Sequence, residues 1–286
     1  MTTQANPLFP GKHFIGTVLG ALDAKVEMSG EMTRRYLQRA AMAGIIIGLF
    51  YATSYAVVAA FEAVEVGGSS LITLGRLAGA VTFGWALVFI HYSKSELLTS
   101  NMMIVSIGAY HRRTSWRRAL RLLGLCYLGN AIGGFFVALP FLFSTVTRTA
   151  MPLMQHAVDT KLAYVSAGPS GWSDLFMRAV LCNFMINIAV LLVYNGLIRD
   201  DLTKSLVMVV AVAIFAFMGF EHSVANTVLF TIVGLQEGLD IGLAAGNVAI
   251  ALVGNFIGGG VLIGLYYAYV NDDASYLRRH PETPAG

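Results

Sequence analysis

The chain has 286 residues, 56% of them hydrophobic and only 12% charged, where an ordinary soluble domain carries about 25% charged residues. That balance excludes an ordinary soluble domain and makes lipid the solvent against which the sequence has to be read. The net charge of +3 is read as basic residues gathered on one side of a membrane, and no nucleic-acid binding is inferred from it.

Residues 1–35 show no cleavable signal, because no apolar run of adequate length follows a basic start and no small-residue cleavage site appears. Within them Phe14, Ile15, Val18, Leu19, Leu22 and Val26 recur at helical spacing between Lys12, Asp23, Lys25 and Glu27. This predicts an amphipathic helix lying on the cytoplasmic membrane surface. Residues 36–270 form the expected transmembrane domain. A helix crossing the hydrocarbon needs about 20 mostly apolar residues, and Ala40–Phe61, Ala119–Phe143, Leu175–Ile198 and Leu243–Val270 supply uninterrupted runs. Two further runs are interrupted. Leu71–Tyr110 carries His91, Lys94 and Glu96, and Ser205–Leu235 carries Glu221 and His222. The fold class expected is all-α, with six transmembrane helices. Residues 271–286 read as a short polar tail.

With six spans and both termini cytoplasmic, one side collects Lys12, Lys25, Arg34, Arg35 and Arg39, then Arg112, Arg113, Arg117, Arg118 and Arg121, then Arg199, Lys204, Arg278 and Arg279. The opposite loops hold Arg148 and Lys161. The arrangement obeys the positive-inside rule, and the arginines are expected to face lipid phosphates. Cys126 and Cys182 fall within spans and are read as buried free thiols.

When the chain is slid along itself by one constant offset, Glu96 falls on Glu221, Asn101 on Asn226, Gly129 on Gly254, Asn130 on Asn255, Gly133 on Gly258 and Gly134 on Gly259. All are unusual residue types for a membrane. The coincidence predicts a duplicated three-span unit and, because three is odd, a second copy crossing in the opposite sense, an inverted 3+3 repeat. The interrupted span is the middle one of each copy, so the second and fifth helices are expected to be broken. Non-helical backbone at membrane depth is tolerated only against protein or a water-filled cavity, so the breaks should face each other across a pathway. The glycines are read as close-packing surfaces. Asn130 and Asn255 are read as structural hydrogen-bond donors that hold the broken helices.

Isolated charges at the bilayer centre cost about 2.5 to 3.5 kcal/mol on insertion scales, so each one needs a reason. His222 lies in the run Gly219-Phe-Glu-His-Ser-Val-Ala-Asn226, beside Glu221 and at the break of the fifth span. Glu96 and Glu221 hold equivalent places, which suggests a shared structural duty, accepting backbone N–H groups at the start of each half-helix. Thr99, in Ser95-Glu-Leu-Leu-Thr-Ser-Asn101, is placed to offer its hydroxyl to His222 or to a passing ligand.

These runs, with Leu181-Cys-Asn183 and Gly254-Asn-Phe-Ile-Gly-Gly-Gly260, resemble the formate/nitrite transporter family over nearly the whole stretch from Ala40 to Val270. The resemblance implies a homopentamer of aquaporin-like protomers in the bacterial inner membrane, each with its own pore for a small monovalent anion, formate foremost. It implies a central His222 and Thr99 between apolar constrictions at Phe83, Leu87, Leu97, Leu98, Ile186 and Phe215. Lys161 before the fourth span and Asn183 within it match the family's pathway lysine and asparagine, and Glu221 and Asn226 belong to the same pathway run. No cofactor or metal is implied. Protons are the expected co-substrate, with His222 as proton partner because an imidazole titrates near physiological pH. A water or glycerol facilitator should carry two Asn-Pro-Ala boxes, yet Asn6-Pro7 lies outside the spans. An intramembrane enzyme built on Lys94 and Ser100, or on His222 and Glu221, lacks a third orienting group.

Overall fold

The apolar runs become helices because helices satisfy every backbone N–H and C=O within the segment, which lipid demands. A computed structural model describes residues 7–280; the first six and last six residues of the expected terminal segments lie outside the described residues. In order the elements are α1 (Lys12–Glu31), α2 (Thr33–Glu62), a hairpin of β1 (Glu65–Val66) with β2 (Ser69–Ser70), α3 (Ile72–Tyr92), α4 (Leu98–Tyr110), α5 (Trp116–Leu142) and α6 (Met151–Ser166). There follow α7 (Pro169–Tyr194), α8 (Asp201–Phe217), α9 (Ser223–Glu237), α10 (Ile241–Asn255), a π-helical stretch Phe256–Leu265, α11 (Tyr266–Val270) and α12 (Ala274–Arg279). Among the described residues, five helices are long and apolar enough to cross a membrane: α2, α3, α5, α7 and the continuous run from Ile241.

Each interrupted run is two consecutive helices: α3 ends at Tyr92 and α4 starts at Leu98, while α8 ends at Phe217 and α9 starts at Ser223. Each gap uses left-handed backbone, at Lys94 with φ 57° in the first and at Gly219 with φ 68° in the second. Close packing recurs in matched pairs. A Cβ on Gly129 would strike Ala40 and the Leu37 carbonyl on α2, and one on Gly254 would strike Ala179 and the Phe176 carbonyl on α7. Gly133 sits against the Ala41 carbonyl as Gly258 sits against that of Val180. Small residues let these helices approach where lipid gives little drive for association. The outward faces carry exposed Trp85, Phe89, Phe136, Leu181 and Val253, an apolar coat suited to hydrocarbon.

The amphipathic helix forms, but its apolar stripe meets protein. Phe14, Val18 and Leu22 are buried. Leu22 fills the space that Gly108 on α4 leaves open, and the Phe14 ring meets Tyr267 edge-on at 6.1 Å. Arg113 likewise pairs with protein: Nε donates to Asp23 Oδ1 at 2.9 Å and an end nitrogen to Oδ2 at 2.7 Å. These hydrogen bonds hold the Asp23 carboxyl below its ordinary range. A carboxylate at fixed distance in the fork geometry is a better partner than a mobile headgroup.

Candidate functional site

Both gaps are framed by one asparagine and closed by one ion pair. Asn130, on α5, donates to the carbonyls of Ala40 and Glu96, each at 2.8 Å, and accepts the Leu98 N–H at 3.1 Å. Asn255, at the end of α10, donates to the carbonyls of Ala179 and Glu221 at 2.8 and 2.9 Å and accepts the Ser223 N–H at 2.9 Å. Each amide thus ties three stretches of main chain together and takes one orphan N–H of a helix start.

Glu96 and Glu221 were expected to take those backbone donors, and they do not. Lys25 on α1 pairs with Glu96. Lys161 on α6 donates to both oxygens of Glu221, at 2.8 and 2.9 Å. A carboxylate removed from water needs a full countercharge before it needs a dipole. Asn101 adds a donor to Glu96 at 3.1 Å, and Asn226 adds one to Glu221 at 2.6 Å. Lys161 is 8% exposed. Burial by itself disfavours its ammonium, but the Glu221 charge and hydrogen bonds outweigh that and hold it above the ordinary lysine value.

The two gaps meet at His222 and Thr99. The imidazole is 4% exposed, stacks on Phe215 with centroids 6.0 Å apart, and caps α9 by accepting the Ala225 N–H at Nδ1, 3.1 Å away. Its Nε2 lies 3.1 Å from Thr99 Oγ1. Nδ1 is an acceptor here, so the neutral ring carries its proton on Nε2 and donates it to Thr99. The Thr99 hydroxyl proton is then free for another acceptor. The Thr99 carbonyl is fixed separately, by the side-chain amides of Asn183 at 3.1 Å and Asn187 at 3.2 Å.

Two cavities are lined by His222 and a third adjoins one of them. A narrow one of about 20 Å³ is lined by Phe83, Leu87, Leu97, Ile186, Phe215 and His222, room for about one water. It shares Leu87, Ile90 and Leu97 with a cavity of about 290 Å³ that also holds Lys25, Glu96 and His91. It shares Phe83, Phe215 and His222 with another of about 380 Å³ that holds Lys161, Glu221 and Asn226. Two chambers that hold charged residues therefore flank one apolar neck and share wall residues with it.

Of the residues singled out from sequence, the cavity walls bring together His222, Lys161, Glu221, Asn226 and the constriction residues other than Leu98. Thr99, Leu98 and Asn183 line none of these cavities, and Thr99, expected to reach a passing ligand, is fully buried behind His222. Asn183 is turned to the main chain, donating to the Asn255 carbonyl at 2.7 Å as well as to Thr99. Sequence reasoning missed Asn187, whose signal was its place one helical turn after Asn183. It also missed the ionic role of Lys25, and Asn247, which accepts from Asn226 at 2.8 Å and donates to the Lys161 carbonyl at 3.0 Å. Among the described residues no group of three or more His, Cys, Asp or Glu is placed to hold a metal ion.

The family described as formate/nitrite transporter matches residues 13–269. The nitrite transporter NirC of Salmonella typhimurium is 30% identical over 210 residues, 70% of this chain and 76% of that protein. Among solved structures, an FNT family ion channel superposes with a TM-score of 0.77 at 22% identity, covering 91% of this chain and 100% of the other. A pentameric formate channel with formate bound gives 0.63 at 21% identity, covering 84% and 98%.

Proposed function

The chain belongs to the formate/nitrite transporter family and is an integral membrane protein, and from that premise we propose that it passes a small monovalent weak-acid anion, formate foremost, through the neck at His222. The carrying observation is the apolar neck flanked by two chambers that hold charged residues, with one imidazole on the neck wall. Nitrite is the alternative solute, supported by the similarity to NirC. The protomer is read as two three-helix halves of opposite sense whose broken second and fifth helices meet at the neck. The matched framing by Asn130 and Asn255 supports that reading. Assembly as a homopentamer in a bacterial inner membrane, with both termini cytoplasmic, completes the proposal. It is supported by the likeness to a pentameric formate channel and by the distribution of basic residues.

Magnitudes decide how the solute crosses. Moving a bare carboxylate into a dry neck costs tens of kcal/mol on the idealised Born estimate. Protonating an acid of pKa about 3.5 at pH 7 costs about 5 kcal/mol. The solute therefore crosses as the neutral acid, and a proton moves with each anion.

The hydrogen bonds of the ring support a part for His222 different from the shuttle expected of an imidazole. An imidazolium needs a proton on Nδ1, which displaces the Ala225 N–H. A neutral ring that surrenders its Nε2 proton becomes an anion. The proton is therefore taken by the solute in a chamber, from water. His222 stays neutral, donates to Thr99 and is thereby held with its ring fixed on the neck wall. Uptake of labelled formate, nitrite, acetate, lactate and hydrosulfide into proteoliposomes across a set pH gradient tests the proposal. Accumulation of one or more that rises with the inward proton gradient supports it, and rates equal to protein-free vesicles refute it.

A further inference from the structure

The chamber that holds Lys161 has a cationic wall, yet most of that charge is already engaged. Lys161 gives its ammonium to both oxygens of Glu221. Arg178 donates from Nε to Asp174 at 2.9 Å and from an end nitrogen to the Gly219 carbonyl at 3.0 Å, with its guanidinium over the Tyr164 ring. The remaining cation on the wall is Arg76, on the first turns of α3, exposed and in no ion pair or side-chain hydrogen bond among the described residues. Glu221 is the acidic residue lining the chamber, and Lys161 neutralises it.

On the reading given under Proposed function, we propose that Arg76 is the residue that captures the anion at this mouth and favours solutes bearing two oxygens. An exposed guanidinium keeps its charge without a desolvation cost and raises the local concentration of anions. Its planar fork also matches a carboxylate or nitrite in two parallel hydrogen bonds, which an anion with a single acceptor atom, such as hydrosulfide, does not offer. Lys161, tied to Glu221, holds the wall together and leaves capture to Arg76.

Tracer exchange at equal anion concentration on both sides of a proteoliposome samples each mouth whichever way the protein inserts. The proteins compared are the unaltered chain, Arg76→Gln and Arg76→Lys, with formate and with hydrosulfide. At about 10 mM ionic strength, where the Debye length is about 30 Å, Arg76→Gln should raise the half-saturating concentration of both anions. The expected rise is about fivefold, the Boltzmann factor for two unit charges about 4 Å apart in water, with an unchanged maximal rate. The rise should shrink towards nothing at about 1 M salt. Arg76→Lys should restore hydrosulfide exchange fully and leave formate with a higher half-saturation than the unaltered chain. An unchanged half-saturation in Arg76→Gln, or a shift that salt does not reduce, overturns the capture role. Full restoration of formate by Arg76→Lys overturns the two-oxygen preference. Absence of exchange by the unaltered chain overturns the transport reading itself, and this inference with it.

Discussion

Lys161→Ala separates a lysine that recruits anions from one that holds the fold. If Lys161 were a free vestibule cation, its loss would weaken anion affinity and leave stability alone. Its ammonium instead sits 2.8 and 2.9 Å from the Glu221 oxygens, on a carboxylate that is 3% exposed. Removing one partner of a buried pair leaves an uncompensated charge and costs about 3–5 kcal/mol. The Asn226 amide, still 2.6 Å from Glu221, places the expected loss near about 3 kcal/mol. For a chain of this size each kcal/mol moves the melting temperature by roughly 2–4 °C, so unfolding followed by tryptophan fluorescence in detergent should shift by several degrees. Lys161→Met combined with Glu221→Gln removes both charges and keeps an acceptor for Asn226, so the double variant should melt above Lys161→Ala. A Lys161→Ala protein that melts with the unaltered chain and differs only in half-saturating anion concentration refutes the ion-pair account.

Thr99→Val keeps the volume and the carbonyl held by Asn183 and Asn187, but takes the acceptor from His222. A stranded buried donor costs about 1–3 kcal/mol, and initial uptake should fall while helical content stays unchanged; unaltered uptake contradicts the assigned tautomer. Gly258→Ala drives a methyl into the Val180 carbonyl, and overpacking of this kind costs about 1–3 kcal/mol. Gly124→Ala, with nothing within 4 Å of the new methyl, is the control, and equal melting of the two variants contradicts the close-packing role.

The five long apolar helices were legible because lipid imposes a length and a polarity on any helix that crosses it, and the charges at Glu96 and Glu221 lie in the gaps between consecutive helices. The partners of those charges were not legible. Lys25 comes from α1 and Lys161 from α6, two helices outside the repeated pattern, so no internal offset pointed to either. The stripe of Phe14, Val18 and Leu22 on α1 looked the same whether lipid or α4 was to cover it, because periodicity reports a buried face and not what buries it. The directions of Asn183 and Leu98 were not legible either. On a helix packed all round, a shift of one residue turns a side chain by about 100°, enough to move it from a cavity wall to the main chain of a neighbour.

The most direct test is the initial uptake of labelled formate into proteoliposomes, external pH lowered stepwise, for the unaltered chain and for His222→Phe. The unaltered chain should take up formate faster as the outside is acidified, since the fraction arriving as neutral acid rises. His222→Phe should be slower at every pH by about tenfold, the equivalent of one buried hydrogen bond misdirected, while keeping the same slope with pH. Equal rates in the two proteins, or a variant whose uptake no longer depends on pH, would contradict a neutral histidine held by Thr99 on the neck wall.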